Sequence, residues 1–106
     1  MSKTIRFVVT LAAVLSLAGA VGFAQSGEAT YKAKCMMCHG AAGIPSPGMA
    51  KAMGVKPVTD PEVKKFTEAQ MINAVRDGMG KMQPYKGKLT DAQIKDSVSY
   101  FRTFLK

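Results

Sequence analysis

The chain has 106 residues, 47% of them apolar, with a formal charge of +8, two cysteines and one histidine. That length admits one small domain, and a domain of this size commonly needs a metal, a disulfide or a cofactor to complete a limited core. Three sulfur and imidazole donors leave a structural zinc site short of a fourth ligand, and the positive charge comes without an aromatic and basic recognition motif, which argues against nucleic acid as the partner.

The chain opens with Lys3 and Arg6, then an apolar run from Phe7 to Ala18 broken only by Thr10 and Ser16, and then small residues at Ala18, Ala20, Gly22 and Ala24. This pattern predicts a secretory signal over 1–24, cleaved after Ala24 with Ala20 as the second choice, and a domain over 25–106. The other reading extends the apolar stretch to Ala24 and retains it as a membrane anchor; Gly19 and Gly22 favour cleavage. Both readings export the domain.

Ser26 is placed to cap a helix that runs through Glu28, Tyr31 and Lys32 into a pair of cysteines. Gly27, Tyr31 and Cys35 are four apart and share a face, which suggests either a close helix crossing at Gly27 with Tyr31 beside it or, since glycine is a poor helix former, a frayed helix start there. Then comes Cys35-Met36-Met37-Cys38-His39. Two thiols on one helical turn reach the vinyl groups of a porphyrin and the next residue offers an imidazole to its iron, so the segment reads as a covalent haem site. A thioredoxin-like dithiol would need an alternating strand and helix context that is missing downstream. A structural disulfide would span a short, strained loop and leave His39 without a role.

From Gly40 to Pro57 the composition turns to Gly, Ala, Pro and Met, with Pro45, Pro47, Gly48 and Gly54 breaking any long helix. Met49 and Met53 mark at most a short helical turn. A carbonyl of the 45–47 segment is the expected acceptor for the second ring N–H of His39, because ligating imidazoles usually have their tautomer fixed that way. Asp60-Pro61 opens a short turn with proline at a first helical position. Two capping boxes follow: Thr67 to Gln70 starts a helix that ends at Gly78, and Thr90 to Gln93 starts a terminal helix whose Ile94, Val98, Phe101 and Leu105 form one stripe. No stretch alternates as a strand would, so the predicted fold is all-α.

Between those two helices lies Gly78-Met79-Gly80-Lys81-Met82-Gln83-Pro84-Tyr85, too rich in Gly and Pro to be helical. A thioether presented from it opposite His39 would complete six-coordination and raise the reduction potential relative to two imidazoles. Met82 is favoured because Pro84 stiffens its backbone; Met79 is the rival.

These features together resemble the class I monohaem cytochromes c of the small bacterial periplasmic type. The resemblance covers the expected mature chain, from Gly27, Tyr31 and Cys35 through Cys38-His39-Gly40, Asp77-Gly78 and Lys81-Met82 to Leu89-Thr90-Asp91 and a last helix with Val98, Tyr100 and Phe101. It implies three main helices plus loops wrapped around one haem c, attached through Cys35 and Cys38, with His39 and Met82 as axial ligands. It also implies that Gly27, Tyr31 and Tyr100 lie at a crossing of the first and last helices. One departure is that Gln83 stands between Met82 and Pro84, where the family usually has proline directly after the methionine.

The activity that follows from the resemblance is one-electron transfer in the periplasm, by a monomeric carrier and not an enzyme. Lys32, Lys34, Lys81, Lys86 and Lys88 flank the attachment helix and the methionine loop, which suggests redox partner proteins with acidic docking surfaces. Two alternatives stand beside it. One is a haem subunit tethered to a membrane redox complex by a retained N-terminal segment. The other is a haem enzyme or gas sensor with an open sixth site, against which His39, the one histidine, is already committed to iron and leaves no distal acid-base imidazole.

Overall fold

The computed structural model describes residues 27–105. The expected leader over 1–24 lies outside the described residues, and so do Ser26 and the start of the first helix. Six helical segments follow in order: α1 (27–34), α2 (Met36–His39), α3 (Pro47–Met53), α4 (Pro61–Lys65), α5 (Glu68–Asp77) and α6 (Asp91–Arg102). Among the described residues the only β pairing is two isolated bridges, so the domain is all-α. No helix of the described residues is long and apolar enough to cross a membrane.

α1 and α2 are nearly one helix. The Cys35 N–H donates to the Tyr31 carbonyl at 2.8 Å and the His39 N–H to the Cys35 carbonyl at 2.9 Å, so the cysteine pair sits on a continuing helical path with a kink at Cys35. The Pro- and Gly-rich segment that follows holds one helix where the sequence suggested at most a turn. Pro47 takes its first position, where a missing N–H costs nothing, and the Ser46 hydroxyl accepts from the Met49 N–H at 3.3 Å. Asp60 caps α4 in the same manner, accepting from the Glu62 N–H at 2.9 Å ahead of Pro61.

Both capping boxes form. Thr67 Oγ1 accepts from the Gln70 N–H at 3.1 Å while Gln70 Oε1 accepts from the Thr67 N–H at 2.9 Å, and Thr90 and Gln93 repeat the pair at the same distances. Each box satisfies two of the donors that a helix start leaves open. The two helices so started pack on each other. Their contact buries Met71 of α5 and Ile94, Ser97 and Val98 of α6; with Tyr31 and Val58 these side chains form the core of the described residues, Tyr31 and Ile94 being the most deeply buried. Arg102 ties the far end, donating to the Phe66 carbonyl at 3.1 Å.

α1 crosses α6 at Gly27. A Cβ there would sit 2.6 Å from the Asp96 carbonyl oxygen, closer than any side chain allows, so only glycine admits this approach. Four residues on, Tyr31 is packed into the aromatic side of α6, with ring centroids 5.3 Å from Tyr100, 6.1 Å from Phe101 and 5.7 Å from Phe104. The expected crossing and its partner Tyr100 are both present.

Candidate functional site

The crossing positions the cysteine motif. The Tyr31 hydroxyl donates to the Gly40 carbonyl at 2.6 Å, which fastens the chain immediately after His39, and the Phe101 ring stands edge-on to the imidazole at 5.5 Å. Cys35 and Cys38 are half-buried and unpaired with each other. Burial pushes the Cys35 thiol up to about 11, so it is held as a neutral thiol. Burial also lowers the His39 pKa, which keeps the imidazole neutral and a competent metal ligand.

His39 Nδ1 is buried without a hydrogen-bond partner. The carbonyl expected from the 45–47 segment does not reach it; the Ser46 carbonyl instead accepts from the Ala50 N–H at 2.9 Å in the first turn of α3.

The motif faces a cavity of about 770 Å³, within the range of roughly 300–1,000 Å³ that small-molecule and cofactor sites occupy. Tyr31, Cys35, Cys38 and His39 form one wall, Met71 and Val75 of α5 and Val98 and Phe101 of α6 another, and Met79, Met82 and Tyr85 close it from the loop after α5. The cavity thus brings together all four residues singled out in the sequence, Cys35, Cys38, His39 and Met82, together with the rival Met79. Reduced thiols, a neutral imidazole with an unpartnered buried nitrogen, and apolar walls fit a haem attached through the cysteines.

Four methionines line this cavity. Met71 has its sulfur 3.6 Å from the Arg102 guanidinium, and Met53 belongs to the far helix α3. Met79 and Met82 face each other across a two-residue turn, each N–H donating to the other's carbonyl, at 3.2 and 2.9 Å, with Gly80 at φ 59° supplying the bend. Met79 is 55% exposed and Met82 half-buried, so Met82 is the deeper of the pair.

Two parts of the site were not foreseen. The Tyr85 hydroxyl donates to the Lys34 carbonyl at 3.2 Å, and the Lys81 ammonium to the Ala52 carbonyl at 2.9 Å. These partners are 51 and 29 residues apart, beyond the reach of any local pattern. The lysines also differ: Lys34, Lys51, Lys56 and Lys81 line the cavity, Lys56 there paired with Glu62, while Lys32 is paired with Glu28 at 2.7 Å.

A helical domain that folds a C-x-x-C-H turn and a methionine loop onto one apolar cavity defines a small monohaem c-type cytochrome of class I, with one haem c held covalently through Cys35 and Cys38. The chain belongs to the family described as cytochrome C oxidase, cbb3-type, subunit III, whose model matches residues 22–101. It is similar to cytochrome c-555 of Chlorobaculum thiosulfatiphilum, 37% identical over 73% of this chain and 91% of that protein. It is also similar to cytochrome c-555 of Chlorobaculum tepidum, 32% identical over 94% of each chain. Among solved structures, the KustC0563 c-type cytochrome superposes with a TM-score of 0.67 at 30% identity, covering 76% of this chain and 98% of that one.

Proposed function

We propose that this cytochrome is a monomeric periplasmic electron carrier whose haem is ligated by His39 and Met82 and whose redox partners dock through acidic surfaces. The observation that supports the ligation most directly is that His39, with its Nδ1 buried, and the half-buried Met82 line the same cavity as the two thiols. When bound, the haem supplies a one-electron couple held near the surface. The chain's own part is to hold two ligands still: Phe101 and the Tyr31–Gly40 bond fix the His39 side, and the Met79–Met82 turn fixes the other. Apolar walls keep water away from the group and favour the less charged state of the site.

Steering rests on charge. Lys34, Lys51 and Lys81 edge the cavity, which supports encounter with negatively charged surfaces. The family description favours a second reading, a haem subunit assembled with a membrane oxidase. Fractionation of the native protein separates the two, since a carrier is released with the soluble periplasmic fraction and a subunit stays with the membrane.

The ligand assignment is tested by visible spectra of the ferric and ferrous protein, with and without carbon monoxide, beside Met82→Ala and Met79→Ala. The expected result is a low-spin wild type that resists carbon monoxide and a weak ferric thioether band lost in Met82→Ala alone. A high-spin wild type that binds carbon monoxide rapidly would replace the carrier with a sensor or enzyme.

A further inference from the structure

The loop that carries Met82 is tied to α5 by its own backbone: the Tyr85 N–H donates to the Val75 carbonyl at 2.9 Å and the Lys86 N–H to the Arg76 carbonyl at 3.1 Å. Those bonds place the loop relative to the helix it leaves. They do not fix the distance across the cavity, which separates Met82 from the segment with Cys35, Cys38 and His39. Two side chains do reach across it. Lys81, the neighbour of Met82, spans to the Ala52 carbonyl near the end of α3 at 2.9 Å. There its ammonium meets one of the carbonyls that a helix leaves open at its C-terminus.

On the other side Tyr85 spans to the Lys34 carbonyl at 3.2 Å, in the residue directly before Cys35. Its hydroxyl oxygen also accepts from Gln83 Nε2 at 3.4 Å, and Gln83 Oε1 takes the Lys88 ammonium at 2.7 Å, so the phenol is oriented from within the loop. The bonds from Lys81 and Tyr85 bracket Met82 and run to two different elements. A thioether is a weak, neutral ligand, and how often it leaves depends on how firmly its backbone is held.

We propose that Lys81 and Tyr85 are positioning residues for the sixth ligand, fastening the methionine loop across the cavity and setting how easily an outside ligand displaces Met82. The proposal rests on the assignment of Met82 above. Lys81 accordingly acts first on the protein's own backbone, and its substitution changes the site even with no partner present.

The experiment titrates imidazole into the ferric holoprotein and follows the visible spectrum for wild type, Lys81→Ala, Lys81→Arg, Tyr85→Phe and Lys81→Ala/Tyr85→Phe. Lys86→Ala, on the same loop, and Thr90→Ala, which removes a cap on α6, serve as controls. Loss of one exposed hydrogen bond corresponds to about two- to tenfold tighter imidazole binding in each of Lys81→Ala and Tyr85→Phe. The double variant exceeds either single one, Lys81→Arg stays near wild type because it keeps a donor, and both controls stay near wild type. Wild-type affinity in the single and double variants overturns the proposal, and so does an equal gain in Thr90→Ala, which would mark general loosening. A wild type without the ferric thioether band overturns the Met82 assignment itself and the proposal with it.

Discussion

The Tyr31 hydroxyl meets the Gly40 carbonyl at 2.6 Å, joining the helix before the cysteine motif to the first residue after it. The ring is 1% exposed, and the bond itself is partly buried, its Gly40 end being half-exposed. Tyr31→Phe keeps the ring packing and removes the donor, and is expected to cost about 0.5–1.5 kcal/mol, the net worth of one hydrogen bond. The pH dependence has a definite sign. Burial raises the hydroxyl from 10.0 to about 12, so its stabilisation is complete below the unfolded value and is lost as pH rises through the folded one. Thermal unfolding of the holoprotein across that alkaline window should show a decline that is smaller in Tyr31→Phe; identical slopes would remove Tyr31 as its source.

At Gly27 two effects of Gly→Ala oppose each other. Alanine favours the helix by up to about 1 kcal/mol, but its Cβ would stand 2.6 Å from the Asp96 oxygen and 3.0 Å from the Asp96 carbonyl carbon, both backbone atoms of α6 that cannot rotate away. The clash is expected to win, with a net loss of about 1–3 kcal/mol as for other overpacked contacts. Gly48→Ala is the contrast, because a Cβ there meets nothing within 4 Å. It should be neutral or stabilise by up to about 1 kcal/mol. Denaturant midpoints of the two variants should therefore move in opposite directions or differ clearly in size.

Thr90 caps the helix that supplies Ile94, Val98 and Phe101, and its box is complete. Thr90→Ala is expected to lower stability by about 1 kcal/mol while leaving the visible spectrum unchanged, since the cap touches no wall of the cavity. A spectral change in this variant would mean that the cap shapes the site and not only the helix.

What was legible in the sequence was what local chemistry dictates. The spacing of Cys35, Cys38 and His39, the boxes at Thr67 and Thr90, and the Gly27, Tyr31 and Cys35 face each depend on residues within one or two turns. The short helix α3 is less legible, because proline in a Gly-rich segment signals a break as readily as the first helical position that Pro47 occupies. Which lysines are free to act on a partner is likewise not written in the sequence. Charge in a sequence has no partner, whereas in the fold Lys32 is paired with Glu28 and the Lys88 ammonium donates to the Gln83 side-chain oxygen. Bonds such as Tyr85 to Lys34 have no local signature, because nothing between them fixes that the loop returns to the first helix.

That division among the lysines sets an expectation for steering. Lys34 lines the cavity and Lys32 is held by Glu28, so Lys34→Ala should slow reaction with an acidic redox partner at low salt more than Lys32→Ala does. The wild-type rate should fall as ionic strength rises, and the two variants should converge on it as the field is screened within a Debye length of about 8 Å. Stopped-flow rates over a salt series make the comparison, and a wild-type rate indifferent to salt would count against acidic docking.

The cavity also predicts what the covalent bonds do for the fold. Among the described residues the buried side chains are few, and Tyr31, Met71, Ser97 and Val98 of them line the cavity, so much of the core faces the group that fills it. A chain of this size gains its remaining stability from that contact, and because the group is linked covalently it stays with the chain when the fold opens, so that refolding buries its apolar surface again. Cys38→Ala, which leaves Cys35 to hold one link, should give a folded protein whose haem spectrum shifts towards that of a porphyrin with one free vinyl group. Cys35→Ala/Cys38→Ala should leave haem extractable by acidic organic solvent, and circular dichroism after extraction should show helix content well below that of the wild type. Retention of full helicity without haem would mean that the six helical segments hold one another without the group they surround.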